Sequence, residues 1–342
     1  MALQATPAVA REYAAAQRRE IETTTERMSR LWNRVGDDFS SGFERVAPQM
    51  IATMNGAQLR AAERAQSYIP DVLEATGQSR ANRPRFEIEP RQWVGTAGDG
   101  RPTETLAYGA VTTAKDSISS GATVREAQRS GGQFLALAMQ TLVADTARGA
   151  ESASTYARPV SGYIRQIQGE TCGRCIILAG KFYRKNAGFQ RHPRCDCVHI
   201  PAAENIAGDL TTNPNAYLDS LDEKGLQKAL GSKANARAYR EFGADSTQLV
   251  NAYRRSGGIK TAQQYGRTIR YTTEGTTVRG VAYSQMSRVR ALSATARRGG
   301  RYREVVAPRL MPESIFSLNL SQERTEQMLR DFGWLGYTPR TF

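Results

Sequence analysis

The chain has 342 residues, 40% of them hydrophobic and 23% charged, and a net charge of +14. That length leaves room for two or three domains with real cores. A mean hydropathy of -0.53 excludes a membrane-embedded protein, and the longest apolar stretch, Phe134 to Met139, is far below the roughly 20 residues that cross a bilayer.

The charge is concentrated. Residues 259–310 carry a net +9 and residues 161–198 a net +5, and the remainder sums to zero. Two basic zones point to a polyanionic or acidic partner, because clustered Lys and Arg gain by releasing condensed counterions. Before Arg11 there is neither a basic leader nor a continuous apolar core. No secretory signal is expected, and the expected setting is the cytoplasm or a particle assembled there.

Residues 1–80 read as an N-terminal helical hairpin. Tyr13, Ile21, Met28, Leu31, Trp32 and Val35, then Phe39, Phe43, Val46, Met50, Ile51 and Met54, recur at helical spacing. Asp37 or Ser40 is the expected cap of the second helix. Residues 81–160 read as a loop followed by a helical core. Gly and Pro dominate 77–103, with one short strand expected over Arg85–Glu89. Helical spacing runs from Leu106 through Ile118 and again from Phe134 to Val143, with Ser130-Gly131-Gly132 read as the turn between two helices. Alanines at 136, 138, 144 and 147 suit close helix packing.

Residues 161–205 form the cysteine segment, entered by an expected strand at Gly162-Tyr163-Ile164-Arg165. Residues 206–258 return to helix. Asn213 caps and Pro214 starts a helix with Tyr217, Leu218, Leu221, Leu226 and Leu230 on one stripe, ended by Gly231. Two shorter helices, 234–242 and 246–255, follow. Residues 259–342 are a basic region and a C-terminal helix at 321–332. A hairpin around Glu274-Gly275 is expected there, and Arg297, Arg298, Arg301 and Arg303 are the candidate contacts to DNA or an acidic partner.

All four cysteines, Cys172, Cys175, Cys195 and Cys197, fall within 26 residues, and both histidines, His192 and His199, lie in the same segment. The pattern is C-x2-C, nineteen residues, then C-x-C preceded by H-P-x. A C-x2-C turn presents two thiolates to one ion, Gly173 lets backbone N–H groups turn toward the sulfurs, and a second pair completes a tetrahedral site. His192 is a fourth ligand or a donor to a coordinated sulfur. Structural zinc, closed to water, is therefore the favoured cofactor, worth on the order of 10 kcal/mol to folding of the segment. Disulfides, a redox pair and core thiols are the competing readings.

Catalysis is not supported. A nucleophilic triad needs a histidine free to act as base, and His192 belongs to the cluster while His199 reads as a strand residue beside it. Cys175, His192 and Asp196 can be drawn as a triad, but metal spacing explains them better. Glu87-Ile88-Glu89 resembles an ADP-ribosyltransferase E-x-E without the residues that should precede it, and no phosphate-binding glycine loop is present.

The cluster, with Gly188-Phe189 and His192-Pro193-Arg194-Cys195-Asp196-Cys197, resembles the signature of the Mu F-like minor head proteins of tailed bacteriophages, and is most similar to actinobacteriophage members. Gly162–Arg165, Leu178–Phe182, Gly243-Ala244-Asp245 and Arg309–Glu313 agree with it. The likeness is specific over 105–205, fair to 258 and around 309–335, and weak over the first hundred residues. With the residue patterns above, the expected fold is mainly α with a small β element: a helical minor-head domain carrying a zinc-stabilised β hairpin, plus an extended basic C-terminal region. The resemblance implies a virion protein inside the head near the portal, assisting procapsid assembly and DNA packaging or ejection; that it is not an enzyme is expected from the residues. Its expected partners are the portal protein and the major capsid or scaffold protein. Packaged DNA is a further partner inferred from the charge, and no membrane is expected. A capsid maturation protease, a label some members carry, and a zinc-containing nucleic-acid-binding protein are the alternatives.

Overall fold

The computed structural model describes residues 7–166, 173–178, 182–185, 198–202, 214–253, 258–264, 266–276, 281–289 and 308–335. Over these residues the chain is mainly helical with two small three-stranded antiparallel sheets. It divides into two compact units, one of Met1–Gly169 with Ala179–Asn213, the other of Glu170–Leu178 with Pro214–Phe342.

The first unit is built on four helices: α1 (Ala8–Asn33), α2 (Phe39–Ala75), α3 (Thr103–Ser119) and α4 (Val124–Tyr156). At 37 residues α2 is about 55 Å long. Met28, Leu31, Trp32 and Val35 of α1 and its C-terminal flank, Phe39 to Met54 of α2, Ala107, Ala110 and Val111 of α3, and Leu135 to Ala147 of α4 bury one shared core. The hairpin expected from the sequence is present. Its second helix is capped by Asp38, between the two residues favoured by the sequence, because the Asp38 carboxylate accepts from Ser40 N and Ser41 N. Pro48 and Pro70 lie inside α2 without ending it. Neither is buried, so the carbonyls they leave without donors can be hydrated.

The turn expected at Ser130-Gly131-Gly132 does not exist. Helix α4 starts at a capping box made by Thr123 and Glu126 and runs unbroken for 33 residues. The glycines serve the Trp32 indole instead. A Cβ on Gly131 would stand 2.4 Å from Trp32 Cζ2 and 2.7 Å from the Ala110 carbonyl oxygen. Close packing against an indole offsets the roughly 1 kcal/mol that glycine costs a helix. The strand expected at Arg85–Glu89 is also absent. Ile88 is tied to α2 through Gln66 Nε2, which donates to its carbonyl at 2.8 Å, and Glu89 caps a 3-10 turn at Pro90–Trp93. The following loop is pinned by Gln58, whose side chain donates to Thr96 O and accepts from Gly95 N.

A sheet of order β2-β1-β3 completes this unit, with β1 (Gly162–Gln166), β2 (Phe182–Arg184) and β3 (Val198–Ala202). Strand β3 packs on α1, α2 and α4, so Val198 and Ile200 join a second core with Tyr13, Tyr68, Ile69 and Val72.

The second unit contains α5 (Gly173–Leu178), α6 (Pro214–Asp219), α7 (Glu223–Leu230), α8 (Lys233–Phe242) and α9 (Ser246–Asn251). Its sheet has the order β4-β5-β6, from β4 (Lys260–Gln264), β5 (Arg267–Thr272) and β6 (Arg309–Leu310). Helices α10 (Val281–Val289), α11 (Pro312–Phe316) and α12 (Gln322–Asp331) are its remaining described elements. The single helix expected over 214–230 is two, because Asp222 caps α7 by accepting from Gly225 N at 2.7 Å. Gly231 ends α7 with a φ of 87°. The hairpin lies one strand earlier than expected, with β4 paired to β5, while Val281 opens a helix.

Candidate functional site

The cysteine segment is framed by regular structure at each end. Strand β1 pairs antiparallel with both β2 and β3, setting Arg165 opposite His199 and Ile164 opposite Ile200 and Phe182. Thus the strand expected at 162–165 forms. Of the candidate zinc ligands only Cys175 is among the described residues. It sits in α5 and is 1% exposed. Cys172, His192, Cys195 and Cys197 lie outside the described residues, as do Arg297, Arg298, Arg301 and Arg303. Among the described residues no three His, Cys, Asp or Glu side chains are grouped to hold an ion. Gly173 is closely packed, while the expected turn of backbone N–H groups toward the sulfurs involves Cys172, outside the described residues. A Cβ there would meet the Ala229 carbonyl oxygen at 2.0 Å and Val250 Cγ2 at 2.8 Å. Its bare Cα lets α5 lie against α7 and α9 and buries Cys175.

Where the first sheet meets the helices, several polar side chains are buried together. The Tyr13 hydroxyl donates to Glu151 Oε1 at 2.7 Å and accepts from Gln17 Nε2 at 3.1 Å. Glu151 Oε2 lies 3.3 Å from His199 Nδ1. The Tyr68 hydroxyl donates to the His199 carbonyl at 2.8 Å. Tyr13 stacks on Tyr68 with centroids 4.1 Å apart, and the His199 ring lies 4.2 Å from that of Tyr163. Burial, and after it the Glu151 carboxylate, hold both the Tyr13 and Tyr68 hydroxyls well above the usual tyrosine range. This buried constellation ties β3 to α1, α2 and α4. Sequence reasoning took Tyr13 for a plain apolar position and missed Glu151. The available signal was a carboxylate four residues beyond Ala147, on the buried stripe of α4.

In the second unit, one member of the basic zone is buried. Arg309 is 0% exposed. It donates from Nε to Phe332 O and from a terminal nitrogen to Gly333 O, each at 2.7 Å, and from the other to Glu274 O and Gln248 Oε1, each at 3.2 Å. Its guanidinium lies 3.6 Å from the Trp334 ring centroid. Burial lowers its pKa to about 9, against the opposing pull of Asp245 and Glu274. Within the described residues, parts of the expected extended basic C-terminal region are folded: β5 pairs with β6, and the chain around Gln248, Glu274, Phe332 and Gly333 meets this side chain. Lys260, Arg267 and Arg270 remain exposed on the sheet, with Arg270 3.6 Å from Glu313.

An open groove of about 590 Å³ lies in the first unit, lined by Trp93, Gly98, Asp145, Thr146, Arg148 and Ser152 among others. Arg148 pairs with Asp145, so the groove's carboxylate already has a cation against it. Searches for similarity find no match to this chain among protein-family models, curated proteins or solved structures.

Proposed function

We propose that this chain is a structural protein of a tailed-phage head, a minor capsid protein of the Mu F-like kind. In this reading it sits near the portal and assists procapsid assembly and DNA packaging or ejection. One observation carries the reading: C-x2-C at 172–175 followed by H-P-x-C-x-C at 192–197, the whole bracketed by a strand at 162–166 and a strand at 198–202. The helical frame before the cluster supports it. The buried His199, committed to Glu151 and Tyr163, supports a role without turnover.

Zinc is proposed as the resident ion, held by four of Cys172, Cys175, His192, Cys195 and Cys197. The burial of Cys175 fits a closed thiolate site. The ion would supply cohesion, since a site with all positions filled by protein does not activate water. Portal and major capsid or scaffold proteins are the proposed partners, with packaged DNA facing the basic stretch at 259–310.

The test is quantitative mass spectrometry of intact particles. The expected result is the full-length chain at low copy, in fixed ratio to portal. Its absence from particles, or cleavage of scaffold by the purified protein, would overturn the proposal.

A further inference from the structure

We propose that the cavity between the C-terminal end of α1 and the first turns of α4 binds a phosphate group. The cavity measures about 310 Å³ and is lined by Ser29, Trp32, Asn33, Arg125, Gln128, Arg129 and Gly132. That is the lower end of the roughly 300–1,000 Å³ of small-molecule sites, suited to a small anionic group.

The charged side chains of its lining are all positive. Arg125 and Arg129 are one helical turn apart, so both guanidiniums rise from the same face of α4. Neither forms an ion pair among the described residues. The carboxylate nearest them in sequence, Glu126, caps α4 by accepting from Thr123 N at 2.9 Å and Thr123 Oγ1 at 2.8 Å, and it feels the Arg129 charge without pairing with it. Asn33 and Gln128 add amide donors from the two helices, and no acidic side chain lines the space. The floor is rigid: Trp32 Nε1 donates to the Gln128 carbonyl at 2.8 Å, and Gly132 lies close under the indole, where a Cβ would stand 3.1 Å from Trp32 Cδ1. Donors from two helices suit a tetrahedral anion that accepts in several directions, and arginine forks match phosphate in particular.

Arg125, Arg129, Ser29 and Asn33 are exposed, so the phosphate can belong to a small molecule or to a nucleic-acid backbone. This inference needs no particle and stands apart from the virion reading.

The test uses the full chain, with pyrophosphate followed by calorimetry and a fluorescent DNA duplex followed by anisotropy across a salt series. The double variant R125Q/R129Q is compared with R27Q/R30Q, which removes two exposed arginines of α1 that do not line the cavity. The expected result is at least about tenfold weaker pyrophosphate binding in R125Q/R129Q alone, which assigns a small phosphorylated ligand. A DNA salt slope reduced by about 2 only in that variant assigns the polymer. Equal losses in the two double variants, or no loss in either, overturn the proposal.

Discussion

Tyr13 and Glu151, 138 positions apart in sequence, share a 2.7 Å hydrogen bond in the interior of the first unit. The bond joins the first helix to the last turns of the fourth, and the same carboxylate faces His199 of β3. A single buried acid therefore couples three elements. Tyr13→Phe removes a donor from a buried carboxylate, which costs about 1–3 kcal/mol. The lowered denaturant midpoint of that variant checks it.

The same site sets an alkaline limit. Tyr13 and Tyr68 are held well above the ordinary tyrosine range, first by burial and then by Glu151. Below about pH 9 both hydroxyls are protonated in the folded and unfolded chains, and their contribution is fully present. As pH rises further the unfolded chain releases these protons while the folded chain keeps them, so stability falls. Y13F/Y68F should lose stability less steeply than the parent between about pH 9 and about pH 11. Tyrosinate absorbance that titrates completely at ordinary pKa with the helical signal intact would contradict this burial.

The long helices were legible in the sequence because periodic apolar residues and the two-helix hairpin agree, from Met28 and Trp32 to Met50 and Met54. Strand β1 was legible for a similar reason, as a short β-rich run entering the cysteines. One glycine misleads a local reading. Gly131 looks like a turn residue, but it is small because the Trp32 indole occupies the place of its Cβ. That requirement is tertiary, and no local pattern encodes it. Arg309 misled it in the same way, since charge counting assigns a guanidinium to the surface unless the carbonyls that receive it are known.

Gly131→Ala tests the close approach directly. A methyl group 2.4 Å from Trp32 Cζ2 forces the indole or the helix to move, an overpacking cost of about 1–3 kcal/mol. Gly56→Ala in α2 is the matched control. There the added carbon meets only the flexible end of Arg60 at 3.2 Å, and helix propensity should stabilise the chain by up to about 1 kcal/mol. Opposite shifts in thermal midpoint are expected. Two equal shifts would show that the interlock of α1 with α4 is looser than described.

Arg309 should matter for stability and be irrelevant to electrostatic binding. Arg309→Met removes the donors to Phe332, Gly333 and Glu274 carbonyls, and losing several buried hydrogen bonds to a charge costs about 3 kcal/mol or more. Arg309→Lys keeps the charge without the fork and should fall between the two. Urea melts give the order. Because the side chain is buried beneath Trp334, neither variant that remains folded should change the salt dependence of DNA binding.

Metal content separates a zinc-braced segment from a set of thiols that merely lie close in sequence. Chain purified without chelator should carry about one zinc ion, because four ligands from one segment close one tetrahedral site. Cys172→Ser or Cys195→Ser should release it. Cys175→Ser is the less clean experiment, since that side chain is buried in α5. Acidification should also strip the ion, as protons compete for the thiolates, and alkylation of the unfolded metal-free chain without reductant should then count four thiols. His192→Gln divides the two roles of that residue: loss of the ion makes it a ligand, whereas retention with weaker affinity makes it a donor to sulfur. A wild-type chain that holds no metal while keeping its thermal midpoint, or that yields fewer than four thiols before reduction, would return the spacing to coincidence or to disulfides.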